Sequence, residues 1–151
     1  MKMRERVFSS PDILYERGLP GVRRSGRRKG ATELSLCMIV KNEEERLARC
    51  LSSVQGAVDE IIILDTGSTD GTKDVASRFT QRVYDYAWDD DFSAARNASF
   101  AYATRPFILW LDADDVMERS EREKLMALKA RLTADVDAVM MKYHAGIGRD
   151  G

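Results

Sequence analysis

Phe107-Ile108-Leu109-Trp110-Leu111-Asp112-Ala113-Asp114-Asp115 reads as an apolar strand that runs directly into three carboxylates. A hard divalent cation is the usual reason to gather carboxylates at such a point. Open α/β proteins place their ligands at the carboxyl edge of the sheet, where this cluster would lie. A surface turn with a helix cap accounts comfortably for one of these Asp residues and less well for three. Two further loops of a suitable kind precede the cluster, each after a strand of similar composition.

Working outward, strands and helices alternate from Leu34 onward. Leu34 to Val40 is short and mostly apolar, as expected of a strand buried on both faces. A helix follows, with Leu47, Cys50, Leu51 and Val54 on one face at i, i+3, i+4, i+7 spacing. Glu60 to Leu64 is a second buried strand ending at Asp65, and Thr69 or Asp70 can cap the next helix, whose Val75, Ala76 and Phe79 face inward. Val83 to Tyr86 is a third strand, and a helix from Ser93 to Ala103 leads to the fourth, Phe107 to Leu111. A charged helix with Leu125, Leu128 and Leu132 on its apolar side and a fifth strand, Ala138 to Tyr143, complete the order. This alternation predicts an α/β fold around a parallel sheet with right-handed crossovers. His144 to Gly151 is a strand exit and turn with no closing element, so residues 34–151 are expected to be part of a longer domain.

The chain has 151 residues, 44% hydrophobic and 32% charged, a globular composition of single-domain size. Its net charge of −1 conceals an asymmetry: residues 1–30 carry nine Lys/Arg against three Asp/Glu, and the rest is correspondingly acidic. Residues 1–33, with Arg23-Arg24-Ser25-Gly26-Arg27-Arg28-Lys29, are expected to form a flexible basic arm. No aromatic residue is interleaved with these arginines, so the arm carries no strong nucleic-acid signal. No apolar run reaches the roughly 18 residues of a membrane span, and the N-terminus has no h-region. Cys37 and Cys50 are expected to be buried thiols in a reducing cytoplasm.

Three loops carry chemistry. In Lys41-Asn42-Glu43-Glu44-Glu45, Asn42 and Glu43 can reach a base or ribose, or the glutamates simply complement the positive end of the next helix. In Asp65-Thr66-Gly67-Ser68-Thr69-Asp70-Gly71-Thr72, glycines permit a tight turn and Asp65 can meet a ribose or base donor. Small polar residues also make turns and caps without any ligand. The loop is neither a P-loop nor the GxGxxG fingerprint. In the third, Asp112 to Asp115, carboxylates suit Mg2+ or Mn2+ completed by phosphate oxygens and water.

In this order the loops resemble half of a nucleotide-sugar site. The chain resembles family 2 glycosyltransferases of the GT-A fold through LSLCMIVKNEEERLARCLSSV, DEIIILDTGSTDGT, DDDFSAARNASFAYAT and FILWLDADD. The third block is similar to bacterial members whose catalytic domain often precedes tetratricopeptide repeats. The resemblance implies a nucleotide-diphosphate sugar donor, a glycan, lipid or protein acceptor, and transfer with inversion. Asp112 and Asp114 match the DxD motif, with Asp114 or Asp115 at the metal. Asp65 and the backbone near Val40 and Asn42 match nucleotide contacts, and Arg96 and Asn97 match the segment beside the sugar diphosphate. Thr66 stands where many relatives have a second Asp that meets the base, which leaves uridine and guanosine both open. Thr104-Arg105-Pro106 replaces the usual Gly-Asp before the fourth strand. The family's general base usually lies in the second half of the fold, beyond Gly151, and the lone His144 reads as a surface histidine.

Two alternatives stand beside this one. Asp112-Ala113-Asp114-Asp115-Val116 fits the DxDx[TV] pattern of haloacid dehalogenase-type phosphatases, although there the pattern follows the first strand. The chain could also be a non-catalytic fragment that binds nucleotide or a partner.

Overall fold

The computed structural model describes residues 6–9, 32–133, 135–136, 139 and 142–145. The elements are β1 (Arg6–Ser9), β2 (Leu34–Val40), α1 (Leu47–Val54), β3 (Glu60–Asp65), α2 (Thr72–Ser77), β4 (Val83–Asp85), α3 (Phe92–Ala101), β5 (Phe107–Trp110), β6 (Asp115–Val116), α4 (Arg119–Lys129) and β7 (Lys142–Ala145). Four of the strands form a wholly parallel sheet in the order β4-β3-β2-β5.

The sheet is built outward from β2. Through α1 and α2 the chain steps to β3 and then β4, and α3 carries it back across to β5 on the other side of β2. Right-handed crossovers that change direction must put their helices on opposite faces. Side chains of β2 divide accordingly. Leu34, Leu36, Met38 and Val40 join Leu47, Cys50, Leu51 and Val54 of α1 in the main core, with Ile63, Val75 and Leu111. On the opposite face, Cys37 lies under α3, its thiol 3.6 Å from the Ser99 carbonyl. That helix buries only the small residues Ala95 and Ser99, which lets its backbone come close to the sheet. The direction changes between β2 and β5, so the crevice beyond their carboxyl ends is where such a fold takes a ligand.

The opposite, amino edge of the sheet is locked by Glu60, whose side chain is only 6% exposed. Its carboxylate accepts hydrogen bonds from the Ser35 hydroxyl and the Arg82 guanidinium, and from Thr104 through its amide (2.9 Å) and hydroxyl (2.7 Å). Close by, buried Lys129 donates to the Ala57 carbonyl at 2.8 Å and to Asp59 at 2.6 Å, and Asp59 also accepts from the Leu34 amide. Burial opposes ionisation of Asp59, but the Lys129 hydrogen bond, the Leu34 amide and the Lys129 charge outweigh it and lower the pKa. A lowered carboxylate pKa stabilises the fold at every pH above the ordinary value near 3.8, and that contribution is lost as pH falls below it. Lys129→Met is therefore expected to cost about 2 kcal/mol at pH 7. Its urea midpoint should also fall less than that of the parent between pH 5 and pH 3, on the order of the carboxylate range.

Cys37 and Cys50 are both free and buried, as expected from the sequence. Burial, only partly offset for Cys37 by the Arg82 charge, pushes that thiol up to about 12. Burial also pushes Cys50 up to about 12, and there the carboxylates of Asp115, Asp114 and Asp112 add to it. At pH 8 only about one thiol in ten thousand is then thiolate, the reactive form. Neither cysteine is expected to react with Ellman's reagent in the native protein, and both should do so in denaturant.

Three strands depart from the sequence expectation, one of them β6, which the sequence reading did not include. Arg6–Ser9, within the stretch expected as an arm, form β1, which runs parallel to β6 and antiparallel to β7 in a second, three-stranded sheet. Strand pairing is made by main-chain groups that any sequence carries, so composition does not exclude it. Of the rest of that stretch, residues 1–5 and 10–31, with the cluster from Arg23 to Lys29, lie outside the described residues. Of the fifth expected strand, Ala138 to Tyr143, residues 138, 140 and 141 lie outside the described residues, and Lys142 and Tyr143 begin β7 (Lys142–Ala145), which belongs to this second sheet. Among the described residues no helix is long and apolar enough to cross a membrane.

Candidate functional site

The three chemically distinctive loops all leave the carboxyl edge of the parallel sheet. Val40 and Asp65 are register partners on β2 and β3. Cys37 pairs with Trp110, so continuing β5 by two residues brings Asp112 level with Ile39. Asp65 and Asp112 thus flank β2 from its two neighbours, about 10 Å apart at two strand spacings.

The first two loops are clasped together. The Asn42 amide donates to Ser68 Oγ at 2.9 Å, and Asn42 Oδ1 accepts from the Thr69 amide at 2.8 Å. The Glu43 amide donates to Thr72 Oγ1 at 2.7 Å, and Glu44 accepts from the Gly71 amide. The Val40 carbonyl accepts from both the amide and the hydroxyl of Thr66, at 3.0 and 3.2 Å. Asn42 holds this position at φ 54°, a left-handed conformation that Asn tolerates better than most residues. Gly67 has φ 100°, where a side chain would be strained. The carboxylate of Glu43 is paired with Arg46 at 3.2 Å. Asn42 and Glu43, expected to reach a nucleotide, thus have Oδ1 committed to the second loop and one carboxylate oxygen committed to Arg46, respectively.

Asp65 sits at the base of this clasp, completely buried. Its Oδ1 accepts the amides of Gly67 (2.9 Å) and Ser68 (2.8 Å). Oδ2 is buried with no hydrogen-bond partner. A buried acceptor left in this state costs about 1–3 kcal/mol, so it is a place where a ligand's donor is favoured.

Arg96 is brought to the same edge by α3. Its guanidinium lies 5.1 Å from the centroid of the Trp110 ring, a cation–π contact. Both line a cleft with Cys37, Ile39, Ser99, Leu111 and Asp112. Asn97, next on the helix, is exposed and does not line it. Asp91 begins α3 by accepting the Ser93 and Ala94 amides at 2.8 and 3.0 Å.

The acidic turn presents its carboxylates unequally. Asp112 is exposed, Asp114 half-buried and Asp115 fully buried. Asp115 closes the turn: its Oδ2 accepts the Asp112 amide at 2.9 Å, and its own amide donates to the Asp112 carbonyl at 3.0 Å. Among the described residues no group of three or more His, Cys, Asp or Glu could hold a metal alone. The donors present suit Mg2+ or Mn2+, which take one or two protein carboxylates and fill the rest of their shell with phosphate oxygens and water. The three Asp charges add to the upward pKa shift that burial gives the neighbouring Cys50 thiol. Sequence reading had no signal for the supports under this turn. The Cys50 thiol lies 3.5 Å from the Asp112 carbonyl, and Ser53 Oγ accepts the Met117 amide at 3.0 Å.

A parallel sheet with this edge and these loops is matched by the model of Glycosyl transferase family 2 over residues 35–149, and the chain belongs to that family. It is 53% identical over 83 residues to a TPR repeat-containing protein of Synechococcus elongatus, covering 55% of this chain and 21% of that one. It is 36% identical over 123 residues to the SPbeta prophage-derived glycosyltransferase SunS of Bacillus subtilis, covering 79% of this chain and 29% of SunS. The chain thus spans under a third of the length of these relatives. Among solved structures it resembles S. aureus TarS (TM-score 0.53, 21% identity, 63% of this chain and 31% of that one). It also resembles M. tuberculosis glucosyl-3-phosphoglycerate synthase (TM-score 0.50, 25% identity, 56% and 35%).

Proposed function

We propose that the chain is the donor-binding part of a glycosyltransferase, holding a nucleotide-diphosphate sugar across the carboxyl ends of β3, β2 and β5. The observation that carries this reading is Asp65 Oδ2, a buried acceptor without a donor at the edge where the three loops meet. The nucleoside lies against Asp65 and the clasped loops, where their exposed main chain frames it. Arg96, held over Trp110, offers a guanidinium to the diphosphate. Asp114 and Asp112 are the more accessible carboxylates and would hold a metal, and Asp115 braces the turn that carries them. A bound Mn2+ or Mg2+ would supply Lewis-acid neutralisation of the charge that develops on the departing nucleoside diphosphate. The sugar passes, with inversion, to the hydroxyl of a glycan, lipid or protein acceptor. The two buried thiols fit a reducing, cytoplasmic compartment.

Titration calorimetry with UDP and GDP, each with and without Mn2+, tests the reading. Binding of one nucleotide that strengthens with Mn2+ supports it and names the base; a folded chain that binds neither overturns it. In Asp65→Asn the Gly67 and Ser68 amides retain the oxygen they need, and a donor replaces Oδ2. Affinity is expected to fall about tenfold or more with and without metal, the scale of one mispaired buried hydrogen bond.

A further inference from the structure

Resting on the donor-site reading, we propose that Ser53 and Cys50 of α1 are positioning residues that hold the acidic turn in its metal-ready shape. They sit three residues apart, on the same face of the helix. Ser53 Oγ donates to the Cys50 carbonyl at 2.6 Å and accepts the Met117 amide at 3.0 Å, so its hydroxyl has a fixed direction. The Cys50 thiol meets the Asp112 carbonyl at 3.5 Å from a fully buried position. These contacts grip the turn at its two ends, at the carbonyl of Asp112 and at the amide of Met117, two residues past Asp115. Between them Asp112 and Asp115 close the loop on each other.

The grip has a purpose because three like charges in four residues repel one another. A cation site tolerates ligand displacements of only about 0.2 Å. The support comes from a rigid element: Leu47, Cys50, Leu51 and Val54 are all fully buried in the main core. Among the described residues no hydrogen bond joins Ser53 or Cys50 to the clasped loops, so the nucleoside end of the site is expected to be independent of them.

Calorimetry of UDP and GDP binding, with and without Mn2+, is compared for the parent, Ser53→Ala, Ser53→Thr and Cys50→Ala. Ser53→Ala is expected to reduce the Mn2+-dependent gain in affinity about tenfold and Cys50→Ala to reduce it severalfold. Ser53→Thr keeps the hydroxyl and the gain, and metal-free affinity is equal in all four. Full gain retained in both alanine variants overturns the proposal, as does an equal loss of metal-free affinity. A parent that shows no gain overturns the donor-site reading instead. The grip is then judged by hydrogen exchange: the Met117 amide should exchange at least tenfold faster in Ser53→Ala, and unchanged exchange refutes it.

Discussion

Asp114→Ala is expected to lower the affinity for UDP or GDP in Mn2+ to its metal-free value while leaving the fold intact. Of the three carboxylates, Asp115 is turned back onto the Asp112 amide and completely buried, whereas Asp114 is half-buried and Asp112 exposed. A cation that takes only one or two protein carboxylates is held far more weakly when it loses one of them. Removing Asp114 also removes a repelling charge from a crowded turn, so no loss of stability should accompany the loss of binding. Calorimetry separates the outcomes, because the metal-free contacts at Asp65 and the clasped loops are untouched. Unchanged Mn2+ dependence in this variant would assign the metal to other groups. Asp115→Ala has a different expected signature: lost metal dependence together with a lower unfolding temperature, since its carboxylate holds the turn closed.

Glu60→Ala is expected to have the largest effect on stability, about 3–5 kcal/mol, the usual cost of breaking a buried ion pair by removing one partner. Its carboxylate ties β2 through Ser35, the entry to β4 through Arg82, and the α3–β5 connection through Thr104. For a domain of this size the loss corresponds to a fall of about 10 °C in unfolding temperature. Nucleotide and Mn2+ binding by the folded protein should not change, because Glu60 lies at the edge of the sheet opposite the loops. A variant that loses binding at a temperature where it is fully folded would contradict this separation of scaffold from site.

Much of the fold was legible in the sequence because periodicity reports burial, and burial is what makes each element. The i, i+3, i+4, i+7 positions Leu47, Cys50, Leu51 and Val54 are all at 0% exposure, and the apolar run from Leu34 to Val40 is the central strand. The three loops were legible too, since polar and acidic residues at strand ends stand out against apolar runs. The arm reading of residues 1–33 did not anticipate β1, because main-chain pairing leaves little trace in side-chain pattern.

The sequence by itself determined the order of strands and helices from β2 to β5, the family, and which loops meet at one edge of the sheet. Only the tertiary structure decided which polar group each side chain satisfies. Asn42 and Glu43 are drawn into the clasp between two loops, Asp115 is turned inward while Asp114 stays open, and Glu60 gathers partners from residues 35 to 104. The physical reason is range. Hydrophobic pattern is a local property of consecutive residues, whereas a hydrogen bond depends on which distant group the packed core brings within about 3 Å.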